Sequence, residues 1–420
     1  MSLEGNGLHS REAIAGYDRK GMEEGVIVLV GCGAAGCNIA QTLALSGVGE
    51  LRLVDPDVVE LSNVTRSPLF RRERLASGRE RHKVREVALG VLALSTAASP
   101  RVRFAVRPIE ALGYGALRGA SVVISALDSL SGRAYLADLT RALGVPLVEL
   151  GFQGHEGHVA VFPNAADDEP CWRCMHPRVA DGRLSCREYA RAVVARGMTP
   201  ATQPLAATFS ALAAEAAIGA LHGRFDLGGR YLGLDIRSGR AHRLEIALEP
   251  QCPGVHRRLR PDASVPVTAR QPLTTLFEAV RSLVSEPVIH LPAEYVVSAP
   301  CVACGSEVPV GRPAWMMKEA PRCRRGCAPR PRLGGSGVLA VTTLRAQDDL
   351  ATHTCLALGC APGTLVTIED VVTHASVVVE LAGDLDDLYT LRMREDGSAG
   401  DGVPAPVATA PAERDEVAAE

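Results

Sequence analysis

Apolar and polar positions fall into blocks that read as alternating strands and helices. Residues 26–31 (VIVLVG) are a continuous apolar run, as a strand buried on both faces of a parallel sheet requires. A glycine-rich turn comes next, Gly31-Cys32-Gly33-Ala34-Ala35-Gly36, then CNIAQTLALSGV with helical character and ELRLVD as a second strand ending at Asp55. The alternation continues: RHKVREVALGVLALS predicts a helix, RVRFAVRPI a strand, and ASVVISALD a buried strand ending in Asp128. SGRAYLADLTRALG then predicts a helix, and VPLVELGFQG and HVAVFP two more strands. This order predicts an α/β fold built on an open, doubly wound, mostly parallel sheet, with its ligand at the carboxyl ends of the strands.

The same pattern divides the chain. Residues 1–25 are a polar lead-in with one short helix, and 26–256 form the first domain. Within it, 175–204 carry little pattern and read as a crossover segment. LAATFSALAAEAAIGALH (205–222) is almost wholly small and apolar, which suits a central buried helix or a subunit interface. GRYLGLDI and AHRLEIALEP predict a hairpin. Residues 257–270, basic and Pro-containing, read as a linker. Residues 271–395 predict a second, smaller α+β domain: a helix LTTLFEAVRSLVS, short strands VIHL and EYVVS, a cysteine knuckle, a helix QDDLATHTCLALG, and strands TLVTIEDVV and ASVVVELAG. The Ala/Pro/Glu-rich stretch 396–420 reads as a disordered tail.

Composition narrows the function classes. Apolar residues at 47% and charged residues at 22% are ordinary for a globular protein. A net charge of −3 gives no basic field to make nucleic acid an obligatory partner. No apolar run approaches the roughly 20 residues that span a bilayer, and the N-terminus has no signal-like core. The expectation is a cytoplasmic protein without a membrane or nucleic-acid partner.

In such a compartment the twelve cysteines, mostly in close pairs, point to metal ligands or catalytic thiols rather than disulfides. Cys171 and Cys174 offer two thiolates to one tetrahedral Zn²⁺, with Cys252 and His256 as the expected other half. Cys301, Cys304, Cys323 and Cys327 form a separate CxxC…CxxxC knuckle, so the second domain is expected to contain zinc. A rival arrangement joins Cys171 and Cys174 to Cys301 and Cys304. Cys32, Cys37, Cys355 and Cys360 read as packing residues.

The candidate chemistry lies between residues 26 and 133. In the glycine turn, Gly31, Gly33, Ala34 and Gly36 let backbone approach a phosphate at a helix N-terminus, and Asp55 stands where ribose hydroxyls are held. Beyond Asp55 the chain carries polar residues that a dehydrogenase does not need: Asp57, Glu60, Asn63, Arg66 and Lys83, with Asp128 at a later strand end. Two cations can hold a triphosphate, and a carboxylate such as Asp128 can hold Mg²⁺. These are parts for phosphoryl or nucleotidyl transfer. The plain alternatives are solvated charges for Arg66 and Lys83, helix caps for Asp55 and Asp128, and a turn role for Asn63.

GCGAAG (31–36), DPDVVELSNVTR (55–66) with LF (69–70), Lys83, ISALDS (124–129) followed by Arg133, and CWRC (171–174) together resemble the ThiF/MoeB/ubiquitin-activating family of adenylating enzymes. The resemblance covers roughly residues 11–256 and implies a Rossmann-like fold that binds ATP and Mg²⁺. It implies adenylation of the C-terminal carboxylate of a ubiquitin-like or sulfur-carrier protein. By it, Asp55 would contact ribose, Asn63, Arg66 and Lys83 the phosphates, and Asp128 Mg²⁺. It further implies a homodimer in which an arginine of the partner's N-terminal region, Arg11 or Arg19, completes the site.

The resemblance also implies that Cys186, flanked by Arg183 and Arg187 that would favour its thiolate, accepts the acyl group as a thioester before transfer to a conjugating enzyme. The plain alternative is an incidental, semi-buried cysteine. Two departures stand out: Ser67 replaces the Gln often found after the arginine, and CPGVH stands where a second cysteine pair is expected. The alternatives are a sulfur-carrier or peptide adenylating enzyme without a thioester, a NAD-dependent oxidoreductase, and a scaffold without catalysis.

Overall fold

The computed structural model of the 420-residue chain describes residues 7–75, 80–176, 202–301, 303–316, 323–327 and 338–391. Five strands are parallel neighbours in the order β3 (Arg101–Ala105), β2 (Glu50–Val54), β1 (Val26–Val30), β4 (Val122–Ser125) and β5 (Leu147–Gln153). Three antiparallel strands extend this sheet beyond β5: β6 (Glu156–Phe162), β7 (Arg230–Asp235) and β8 (Ala241–Glu245). β1 lies between β2 and β4, so the chain reverses its winding there and opens a crevice at the carboxyl ends of these strands.

Every residue of β2 is buried, and only Val26 of β1 is not, which is why both read as unbroken apolar runs. Helices Ala34–Leu45, Lys83–Leu94 and Gln203–Leu221 cover one face of the sheet, and Leu130–Leu143 covers the other. The lead-in holds two short helices, Ser10–Ile14 and Arg19–Glu24, where the sequence predicted one.

Helix Gln203–Leu221 is long and apolar enough by composition to cross a membrane. Here it is a core helix instead. Leu205, Phe209, Ala213, Ala217 and Ile218 pack into the core. Its small residues let it lie close to helix Ala34–Leu45, near enough for the Ser210 hydroxyl to donate to Ala35 O at 3.0 Å.

A second sheet runs β11 (Glu307–Pro313), β10 (Pro287–Pro300), β13 (Leu365–Asp370), β14 (Ser376–Ala382) and β9 (Ala263–Thr268), with β12 (Leu339–Leu344) also paired to β10. Helix Leu273–Val280 buries Leu273, Leu276, Phe277 and Val280 against it. Three expectations fail here. The stretch read as a linker contains β9, which pairs in parallel with β14. The two short strands VIHL and EYVVS are one strand, β10, with irregular register along its pairing with β12.

The helix predicted over QDDLATHTCLALG is only a 3₁₀ turn, Asp349–Thr352, followed by turns. The cause of this last failure is visible in the backbone. The Cys355 and Leu356 amides donate to Gln271 O and Ala269 O, and His353 O accepts from Leu273 N–H, so these groups are committed to other elements.

The chain crosses between the sheets twice. On leaving the first, Leu259 N–H donates to Ala142 O at 2.8 Å and the Arg258 guanidinium donates to Asn164 O at 2.7 Å. On returning, the short helix Leu385–Leu388 leads into β15 (Thr390–Leu391), which adds antiparallel to the outer edge of β3. Leu388 and Tyr389 are buried in the core of the first sheet, and the Tyr389 hydroxyl donates to Ala116 O at 3.1 Å. Residues 384–391, assigned by pattern to the second unit, thus complete the first.

Candidate nucleotide crevice and cysteine clusters

The glycine turn sits at the end of β1 and is open where a ligand would need it to be. Gly31 has φ +96°, and a Cβ there would lie 2.5 Å from Ala126 O; a Cβ on Gly36 would lie 1.9 Å from Gly31 O. These two glycines are therefore dictated by close backbone packing. A Cβ on Gly33 would meet nothing within 4 Å. Gly33 gives helix Ala34–Leu45 no side-chain cap, so no capping side chain competes for the amides of its first turn. That combination suits an anion such as a phosphate.

The charged set gathers beside this turn. Asp55 ends β2 and is nearly fully buried; its two carboxylate oxygens accept from Cys32 N–H at 2.6 Å and Asp57 N–H at 2.8 Å. Each oxygen still has lone-pair capacity for a further donor. Burial pushes the Asp55 carboxyl up, while Lys83 and the two amides pull it down without cancelling that effect.

A β-bridge between Val58 and His82, and a bond from Lys83 N–H to Asp57 O at 2.9 Å, bring the start of helix Lys83–Leu94 to the loop after β2. The Lys83 ammonium consequently lies 3.0 Å from the Asp57 carboxylate. Burial pulls its pKa down, but the carboxylates of Asp55, Asp57 and Asp128 outweigh this and leave it raised. The ammonium is thus charged at neutral pH, paired with Asp57 and within electrostatic reach of Asp55 and Asp128.

Asp128, just beyond β4, makes no hydrogen bond or ion pair to a described residue; Ser129, not Asp128, caps helix Leu130–Leu143. Arg66 likewise has no side-chain partner among the described residues, although its carbonyl accepts from Asn38. Asn63 holds the turn: its Oδ1 accepts from Glu60 N–H at 3.0 Å, in a reciprocal cap. Arg19 is committed elsewhere, bonded to Glu23, Ser46 O and Gly47 O. The Arg11 side chain has no such partner among the described residues. Cys186, Arg183 and Arg187 lie outside the described residues.

Two groups were missed in the sequence. Asn38 and Gln203 exchange amide hydrogen bonds, at 2.9 and 3.3 Å, joining the first helix of the sheet to the central one. Glu149, in the middle of β5, is 1% exposed and holds both Arg133 and His158, the latter at 2.9 Å. Burial alone would raise its carboxyl; Arg133 and His158 overcome that and hold it down at about 2. The available signal was a carboxylate inside the apolar run VPLVELGF.

The cysteines form two clusters, each with its ligand atoms within 4.8 Å of one another: Cys171, Cys174, Cys252 and His256, and Cys301, Cys304, Cys323 and Cys327. The rival grouping of 171/174 with 301/304 is not what the chain brings together. In the first cluster, Cys171 Sγ lies 3.8 Å from Cys174 Sγ, 3.6 Å from Cys252 Sγ and 3.5 Å from His256 Nε2. A zinc tetrahedron with Zn–S of about 2.3 Å has edges near 3.8 Å, so these donors fit one. Asp138 steadies both halves by pairing with Arg173 at 2.7 Å and accepting from Val255 N–H at 3.3 Å. In the second cluster Cys304 and Cys323 are 3.6 Å apart, again one tetrahedral edge.

Fold and crevice together define a Rossmann-like α/β protein prepared for a nucleotide. The ThiF family matches residues 11–254, more than half the chain, and the protein belongs to that family. It is 34% identical over 152 residues to mouse adenylyltransferase and sulfurtransferase MOCS3, a match covering 36% of this chain and 32% of that protein. The chain thus spans about a third of that relative. It is 30% identical over 235 residues to the sulfur carrier protein adenylyltransferase of Thermus thermophilus, covering 54% of this chain and 80% of the relative. To the molybdopterin-synthase adenylyltransferase of Escherichia coli it is 32% identical over 183 residues, covering 42% and 69%.

Proposed function

We propose that this protein is an ATP-dependent adenylyltransferase that activates the C-terminal carboxylate of a ubiquitin-like or sulfur-carrier protein. The observation that carries this reading is Lys83, held among Asp55, Asp57 and Asp128 beside the open N-terminus of helix Ala34–Leu45. The carrier carboxylate attacks the α-phosphorus, an O–P bond forms, the bond to the β-phosphate oxygen breaks, and pyrophosphate leaves. Lys83 and Arg66 supply positive charge where negative charge builds on the phosphates. Gly31, Gly33, Ala34 and Gly36 provide the cradle, and Asp55 the ribose contact. Mg²⁺, held by Asp128, would neutralise phosphate charge. Of the two candidate arginines, Arg11 is the one free to reach a neighbouring subunit in a homodimer.

The relatives' names support the carrier class. They favour a sulfur-carrier substrate as much as a thioester route through Cys186 and a conjugating enzyme, so both downstream readings stand. ATP–pyrophosphate exchange with carriers ending in glycine tests the core. Exchange is expected, and Asp128→Ala is expected to reduce it by about 10²- to 10³-fold. Binding of NADH without any exchange would overturn the reading. Cys186→Ala is expected to keep exchange while removing any reducible carrier conjugate; a wild type that forms no such conjugate decides for the sulfur-carrier route.

The two cysteine clusters are proposed as structural zinc sites in a reducing compartment. The donor sets are closed, four ligands each, so they brace the fold rather than take part in the reaction. Metal analysis of the purified chain should return about two zinc per chain. A value of one would sink the assignment.

A further inference from the structure

Glu149 is hard to explain as a stabilising residue. A carboxylate in the middle of a buried strand loses its hydration, and a buried ion pair is often no better for stability than well-packed apolar groups. The surrounding chain nevertheless makes room for it. A Cβ on Gly151 would lie 3.0 Å from an Arg133 Nη and 2.6 Å from the His158 ring, so glycine at 151 lets both side chains converge on the same carboxylate.

What Arg133 does with its remaining donors gives the reason. Its Nη1 is bonded to Glu149, and its Nε donates to Leu127 O at 2.8 Å. Leu127 immediately precedes Asp128, whose own side chain has no partner among the described residues. Where the Asp128 carboxylate can reach therefore depends on its backbone and on the nearby charge of Lys83. That backbone is held on one side by the packing of Ala126 O against Gly31, and on the other by Arg133. A planar guanidinium can bond two acceptors in fixed relative directions, whereas a lysine ammonium is a single point on a flexible stem.

We propose that Glu149 and Arg133 form a positioning pair for the adenylation site, in which Glu149 fixes the Arg133 guanidinium and Arg133 fixes the Leu127–Asp128 backbone. This rests on the adenylation reading above and extends it to two residues that act through the Leu127–Asp128 backbone. Their contribution is to hold Asp128 where it acts, so their loss lowers turnover more than nucleotide binding.

The experiment is pyrophosphate exchange by the full chain, measured as kcat and KM for ATP, in wild type, Glu149→Gln, Arg133→Lys and the double variant. Thermal unfolding of each is followed in parallel. Each single variant is expected to lower kcat by about 10- to 100-fold with KM for ATP within about threefold. The double variant is expected to be no worse than the weaker single, because the two residues act as one unit. Arg133→Lys keeps a cation beside Glu149, so it carries the test if Glu149→Gln does not fold. Wild-type kcat per folded molecule in either variant, or losses that multiply in the double, overturns the proposal. A wild type without exchange overturns the adenylation reading, and this proposal with it.

Discussion

Lys83→Met is expected to lower pyrophosphate exchange by about 10²- to 10³-fold and to raise the KM for ATP. The size reflects where Lys83 stands. Its ammonium pairs with Asp57 and feels the charges of Asp55 and Asp128, and those acids raise its pKa against the pull of burial. With it gone, three carboxylates share the mouth of a crevice that must accept a polyanion. Asp55, already pushed up by burial, also loses the largest of the influences that hold it down. The crevice would then repel the triphosphate in the ground state and give no compensation as charge develops. Exchange assayed across ATP concentrations separates the two effects, and a variant within about tenfold of wild type would remove Lys83 from the site.

Tyr389→Ala is expected to destabilise the chain by about 3–5 kcal/mol, the usual cost of emptying a large aromatic site. Tyr389 is 1% exposed and shares the core of the first sheet with Trp172, so that indole reports on the same packing. The substitution also leaves Ala116 O without the bond it accepts at 3.1 Å. Tyr389→Phe, which removes only that bond, should cost about 1 kcal/mol. Denaturant unfolding followed by tryptophan fluorescence measures both; a loss below about 1 kcal/mol for the alanine variant would mean the last strand is not part of the first domain's cooperative unit.

Much of the crevice was legible because its parts are local. A buried parallel strand, its glycine turn and the helix after it announce themselves within about 20 residues. The ends of β2 and β4 supply Asp55 and Asp128 by the same topological rule. The cysteine clusters were legible from spacing, and the structure separates the two groupings that spacing left open.

What escaped was non-local. β9 sits in a basic, proline-bearing stretch whose identity as a strand comes from pairing with β14, more than 100 residues later in the sequence. The apolar spacing of LATHTCLAL suggested a helix until its amides were taken by Ala269 and Gln271. Asn63 shows the opposite case: its turn role was readable from residue type, and the structure shows its Oδ1 in that role. Glu149 was visible as an anomaly in an apolar run, but its partners come from a neighbouring strand and from the helix before it.

The placement of β15 against β3 also bears on how the chain is made. Residues 103–104 leave the ribosome well before their partners Thr390 and Leu391, which follow the strands of the second sheet in the sequence. Until then β3 presents an unpaired strand edge, which is a template for pairing with other chains. The first sheet therefore cannot finish folding cotranslationally ahead of the second, because its outer edge waits for a strand that follows the second sheet in the chain. Contacts of such long sequence separation slow folding and prolong the exposure of incomplete intermediates.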